Sequence, residues 1–151
     1  MSYSAVDVAK YIVTYSNRQN KPVSNLKLQK ILYFTWIDYF KDKNSHLFED
    51  HICAWGFGPV VPAVYRRFCI YAGEPINREY DVEIGQDDTV TLNGIIDQYL
   101  DYSASDLVNM SHEEGSAWHQ IYNDGEGRYA EIPFDLIKEL ECDSRYGNDH
   151  H

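Results

Sequence analysis

Residues 24–43 carry apolar side chains around most of the circumference of a helix, and this segment constrains the fold more than any other. At helical spacing Leu28, Ile31, Leu32, Trp36 and Tyr39 form one apolar face, and Leu26, Tyr33, Ile37 and Phe40 form another beside it. A narrow stripe of Lys27, Lys30, Phe34, Asp38 and Lys41 is all that remains. A helix of this kind has to be surrounded by other elements to hide its surface. The spacing therefore predicts a central helix that starts at Ser24 or Asn25 and runs to about Lys43.

The elements around it can be read in chain order. A first helix is expected after Ser4, with Asp7 three residues on in a capping-box-like arrangement and Ala5, Val8, Ala9 and Ile12 at helical spacing. The stretch 17–22 breaks it. Residues 47–57 are patterned as short extended segments, and Trp55-Gly56-Phe57-Gly58-Pro59 reads as a turn. Pro62 suits the first position of a third helix, where its missing N–H costs nothing. Val61, Val64, Tyr65, Phe68 and Ala72 would form its buried face, with Gly73 as a stop. Residues 79–91 read as a weak pair of strands around Gly85-Gln86-Asp87-Asp88. Helices are expected again over 92–102 and over 103–111, the latter with a Ser103-x-x-Asp106 capping box. A further turn or two follows at 116–122, a loop at Gly125 and Gly127, and a last helix from Pro133 to about Leu140. The reading is a mainly α fold, a compact bundle of about six to seven helices with a few short β segments. No linker divides the chain, so one domain is expected over 1–142, followed by a polar, frayed tail over 143–151.

Charge narrows the range of partners. The chain has 13 Lys and Arg against 24 Asp and Glu, a formal net charge of −11. Binding to phosphate backbones needs clustered cations, and Lys27 with Lys30, or Arg66 with Arg67, are too small as groups to reverse that balance. No direct nucleic-acid binding is expected. A basic protein partner suits the overall charge better, although acidic soluble proteins are common and the charge alone identifies none. The longest apolar stretch, 31–37, is too short to span a bilayer and contains Thr35. Cys53, Cys69 and Cys142 match no disulfide scaffold, and Met-Ser-Tyr-Ser-Ala-Val-Asp has no secretory character. A reducing cytoplasm is the expected location.

Reactive constellations are weak. His51 and Cys53 form one near pair and His112 and His119 another, but neither has the paired-arm spacing of a zinc site, and Gly115 interrupts the second. Cys53 near His51 is the only local candidate for a nucleophile beside a base. Cys69 reads as a small packed hydrophobe. The acidic pairs Asp87-Asp88 and Glu113-Glu114 are solvated neighbours, and Gly56-x-Gly58 lacks the rest of a dinucleotide fingerprint. No catalytic residue, metal or cofactor is expected.

Aromatic residues are the more informative feature. Phe34 interrupts the polar stripe of the central helix, and Trp55 and Phe57 stand on a Gly-Pro turn followed by Tyr65 and Arg66. Rings and arginines near a turn are the usual anchors of a protein-binding surface. Packing into the core beneath the turn would equally account for Trp55 and Phe57.

These residues also carry a resemblance. Ser24-Asn25-Leu26-Lys27-Leu28-Gln29-Lys30-Ile31-Leu32-Tyr33, followed by Ala54-Trp55-Gly56-Phe57-Gly58-Pro59-Val60-Val61-Pro62-Ala63-Val64-Tyr65, resembles the Panacea domain family, which includes SocA-like antitoxins and phage-associated GepA-type proteins. The similarity continues through Tyr102-Ser103-Ala104-Ser105-Asp106-Leu107, Ser111-His112 and Trp118, and ends with the helix over 132–140. Leu28, Gln29, Lys30 and Tyr33 match the first motif; Trp55, Gly58, Pro59, Val60 and Tyr65 match the second. Ala117 departs from the pattern, since proline commonly precedes the tryptophan matched by Trp118, and this leaves the local turn geometry open.

The resemblance implies an α-dominated antitoxin domain that neutralises a toxin encoded by an adjacent gene through direct contact. It also implies a possible second mechanism, an adaptor that delivers the toxin to a protease. A different role suggested by the charge is an acidic decoy occupying the nucleic-acid groove of a host protein. The expected partner contacts are Lys30, Phe34, Trp55, Phe57, Tyr65 and Arg66. Leu28, Gln29, Tyr33, Gly58, Pro59, Val60 and Trp118 are expected to serve the family motif and the fold.

Overall fold

A computed structural model describes residues 2–143. In chain order it contains α1 (Ala5–Arg18), α2 (Asn25–Lys43), β1 (Cys53–Trp55), β2 (Gly58–Val60), α3 (Pro62–Phe68), α4 (Gln86–Leu100), α5 (Ala104–Ser111), α6 (Ala117–Tyr122) and α7 (Phe134–Ile137). A 3₁₀ turn follows α3 at Cys69–Tyr71, and α7 continues into a π-turn at Lys138–Cys142. The fold is mainly α with one two-stranded sheet. The expected tail lies, from residue 144 on, outside the described residues.

Serine chemistry starts four of these helices. The side chains of Ser4, Ser24, Ser103 and Ser116 each accept a hydrogen bond from the N–H three residues on, which satisfies one of the helix's open donors. At Ser103 the Asp106 carboxylate also accepts from the Ser103 N–H, completing the expected capping box. Replacing Ser103 by alanine should lower the unfolding free energy by about 1 kcal/mol, measured by urea denaturation.

The central position of α2 holds. Helices α1, α3, α4 and α5, strand β2 and the final π-turn all pack on it. Trp36 is fully buried, stacked on Phe40 at 5.7 Å and on Phe134 of α7 at 4.9 Å, with its Nε1–H donated to the Phe48 carbonyl. Leu28, Ile31, Leu32 and Ile37 complete the buried faces. Leu26, expected in the core, is part exposed.

The polar stripe of α2 is largely covered by α4, although Lys41 at its end is exposed. Lys27 Nζ donates to the Leu100 carbonyl at the end of α4 at 2.7 Å. Phe34 stacks on Tyr99 of the same helix at 5.3 Å, and the Tyr99 hydroxyl donates to Asp38. The stripe thus gives α4 a ring and polar partners to dock on. Lys30 lies fully buried within it.

The expected strand pair at 79–91 does not form. Residues 77–85 run without regular secondary structure, and α4 begins at Gln86, well ahead of residue 92. The β-branched run Thr89-Val90-Thr91 suggests a strand, but tertiary contacts decide otherwise. Asp87 and Asp88 occupy the first helical turn, where negative charge is favoured. Asp88 accepts from the hydroxyls of Tyr3 at 2.6 Å and Tyr39 at 3.0 Å, and the Thr89 and Thr91 hydroxyls bond back to carbonyls four residues earlier. The third helix is also shorter than expected: it ends at Phe68, and Ala72, at φ 51°, closes the 3₁₀ turn before Gly73.

Candidate protein-docking groove

The hairpin is where the two motifs meet. β1 pairs antiparallel with β2, Cys53 opposite Val60 and Trp55 opposite Gly58. Backbone from 129–132 covers the other edge of β1: Ala54 N–H donates to the Ala130 carbonyl, and the Tyr129 and Ile132 N–H groups donate to the Ala54 and Ile52 carbonyls. On the β2 side, Lys30 Nζ donates to the Pro59 carbonyl at 2.8 Å, and the Gln29 side-chain oxygen accepts from the Val61 N–H at 2.9 Å. Neither edge is therefore left open to pair with another chain. The Trp118 indole N–H donates to the Trp55 carbonyl at 2.7 Å and fixes the turn from below.

Gln29, Lys30, Tyr33, Gly58, Pro59, Val60 and Trp118 are accordingly buried, as is Leu28. For Lys30 this corrects the expected placement. It is fully buried beneath the hairpin and presents no surface to a partner. Burial pushes its pKa down to about 7, since the pocket offers a carbonyl and no carboxylate. Phe34, too, is spent largely on Tyr99 and Tyr33 and is only half-exposed.

Three of the other expected contacts do come together. Trp55, Phe57 and Tyr65 line a groove of about 360 Å³, and Arg66 is exposed one residue on from Tyr65. The Trp55 ring sits 4.8 Å from Tyr65 and 5.7 Å, edge-on, from Tyr129. Asn25, Leu26 and Gln29 of α2 form the floor, and Cys69 and Ala72 close the end beyond α3. Arg128 and Tyr129 form the last wall, the guanidinium lying 5.3 Å from the Tyr129 ring centre. Phe57 is 70% exposed and Tyr129 60%. Among the described residues seven large hydrophobics are exposed, and four of them, Leu26, Phe57, Tyr65 and Tyr129, line this groove. This gathering of exposed apolar side chains makes the groove the candidate docking site.

Sequence reasoning missed Arg128 and Tyr129, which lie in a glycine-rich loop with no periodicity. The nearby histidines and cysteines take other roles. His51 pairs with Glu131 at 3.1 Å. Burial and the Glu131 carboxylate raise the Cys53 thiol, the opposite of what activates a nucleophile. His112 stacks on Trp118 at 3.8 Å, and burial together with the Lys30 charge and His119 pushes its pKa down. Ala117, at the position where proline was expected, donates its N–H to Glu141 at 3.0 Å, a bond that proline could not make. Among the described residues no three His, Cys, Asp or Glu side chains gather as metal ligands. No described helix is long and apolar enough to cross a membrane.

Residues 28–119 match the family described as antitoxin SocA-like, Panacea domain. A protein named Antitoxin SocA, from Caulobacter vibrioides (strain NA1000 / CB15N), is 34% identical over 137 residues, covering 81% of this chain and 72% of that protein. No solved structure matches the chain.

Proposed function

The chain belongs to the SocA-like Panacea domain family, and on that premise we propose that it is an antitoxin that neutralises a cognate protein toxin by direct contact. The toxin is the product of an adjacent gene, the contact is made in the cytoplasm, and neither catalysis nor nucleic acid is involved. Residues 1–142 act as one domain. The observation that supports this reading best is the gathering of Leu26, Phe57, Tyr65 and Tyr129 around one groove. Exposed rings in a concave, partly desolvated setting supply most of the energy in protein interfaces. The hairpin carrying Trp55 and Phe57 is held by Lys30, Gln29 and Trp118, so the anchors are ordered before a partner arrives and little entropy is lost on binding.

Inducible expression of each neighbouring gene, with and without this protein, tests the reading directly. Growth arrest relieved by the protein, together with a co-purifying complex, is the expected result. Absence of toxicity from either neighbour would remove it, and relief without a complex would point to the protease-adaptor mechanism. Within a confirmed complex, Phe57→Ser should weaken binding by about 2 kcal/mol, roughly 30-fold in Kd by calorimetry, with little change in stability because the ring is mostly exposed. An unchanged Kd for both Phe57→Ser and Tyr65→Ser would place the contact elsewhere on the molecule.

A further inference from the structure

The groove differs from the rest of this acidic chain in charge and in hydrogen-bonding character. None of its lining side chains is acidic, although the chain carries 24 Asp and Glu against 13 Lys and Arg. Arg128 forms part of the wall, and Arg66 and Arg67 follow Tyr65 on α3. Among the described residues these three arginines have no carboxylate partner, while Arg18 and Lys21 elsewhere on the surface do.

The two side-chain amides of the groove each have a donor to spare, and each amide oxygen already accepts one hydrogen bond. The Gln29 side-chain oxygen is occupied by the Val61 N–H, and the Asn25 side-chain oxygen by Gln29 Nε2. Asn25 Nδ2 donates one hydrogen to the Tyr65 carbonyl. Each of the two amide nitrogens therefore keeps a second hydrogen. The Trp55 indole N–H has no acceptor among the described residues, and guanidinium can only donate. The free amide hydrogens, the Trp55 N–H and the guanidinium of Arg128 favour an occupant that brings acceptors and negative charge along with an apolar group for the rings.

We propose that the groove receives an acidic segment of the partner toxin, in which an aromatic or aliphatic side chain is flanked by aspartate or glutamate. This rests on the antitoxin reading above and specifies what the groove takes. The apolar side chain packs among Trp55, Tyr65 and Tyr129, and the flanking carboxylates meet Arg128 and Arg66. Arginine–carboxylate contacts of this kind add direction as well as attraction. At about 360 Å³ the space is at the small end of binding pockets, enough for about two side chains. The arrangement also selects against basic segments, which the overall charge of the chain would otherwise attract.

Selection of a displayed random-peptide library on the full-length protein tests this, with Phe57→Ser protein as the counter-selection. The expected winners carry one aromatic or aliphatic residue between acidic ones. Their binding should fall with added salt and weaken roughly tenfold or more in Arg128→Glu. Winners that are basic or uncharged, winners that bind Arg128→Glu as well as wild type, or no enrichment over the Phe57→Ser control would each overturn the proposal. Toxin rescue by the same variants separates the two ideas. If Phe57→Ser loses rescue yet no acidic peptide is selected, the groove stands as the toxin contact and only the acidic occupant falls. If the groove variants rescue fully, the groove itself is excluded as that contact.

Discussion

Alanine at Gly58 is expected to destabilise the protein by about 3–5 kcal/mol, enough to leave much of it unfolded. Gly58 sits at φ 113°, a conformation that side-chain-bearing residues rarely adopt. A Cβ there would lie 2.6 Å from Ser111 Oγ and 2.9 Å from Lys30 Cε. Neither neighbour has room to retreat, because Ser111 and Lys30 are both buried and each is held by a hydrogen bond, to the Val108 and Pro59 carbonyls respectively. Gly56, two residues earlier in the same turn, is the control. Its Cβ would meet only Tyr122 and Arg128 side-chain atoms, at 3.7 and 3.8 Å, and Gly56→Ala should stay within about 0.5 kcal/mol of wild type. Urea denaturation of the two variants measures the difference directly. Equal losses at both positions would show that strain and crowding at Gly58 are not what hold the turn.

Lys30→Met is expected to act in the opposite direction, stabilising the protein at neutral pH by about 2 kcal/mol. Lys30 is buried with a carbonyl for company, and its pKa falls from 10.5 to about 7. Because the folded value is below the unfolded one, the unfolded chain binds more protons between those two pH values. Stability therefore rises with pH across that window and is lost as pH falls from 10.5 towards 7, with no further change from this group below 7. The full span corresponds to about 5 kcal/mol by linkage, an upper bound for the burden that Lys30 places on the fold near neutrality. Methionine has a similar length and no charge to desolvate, but it leaves the Pro59 carbonyl without its partner, which offsets part of the gain. Urea midpoints at pH 6 and pH 9 should differ clearly for wild type and much less for Lys30→Met. A wild-type midpoint as flat as that of the variant would mean that Lys30 is not titrating in this window.

How much of this could be read beforehand depends on the range of the interaction. The starts of α1, α2, α5 and α6 were legible because a serine cap involves residues three apart. The centrality of α2 was legible because a helix apolar around most of its surface has no stable exposed orientation. The true start of α4 was hidden. Its Thr-Val-Thr run favours a strand locally, while Tyr3 and Tyr39, which anchor Asp88, lie in distant elements.

The groove divides along the same line. The sequence by itself placed Trp55 and Phe57 on one turn with Tyr65 following it, because a Gly-Pro turn is a local signal. It left open whether those rings face the core or a partner. Only the tertiary structure decided that Lys30 belongs beneath the hairpin, because its burial depends on the Pro59 carbonyl coming down over α2. Only the tertiary structure, too, brought Arg128 and Tyr129 to the last wall. They arrive there because the backbone of 129–132 satisfies the free edge of β1, a pairing between segments far apart in the chain that leaves no periodic trace in either.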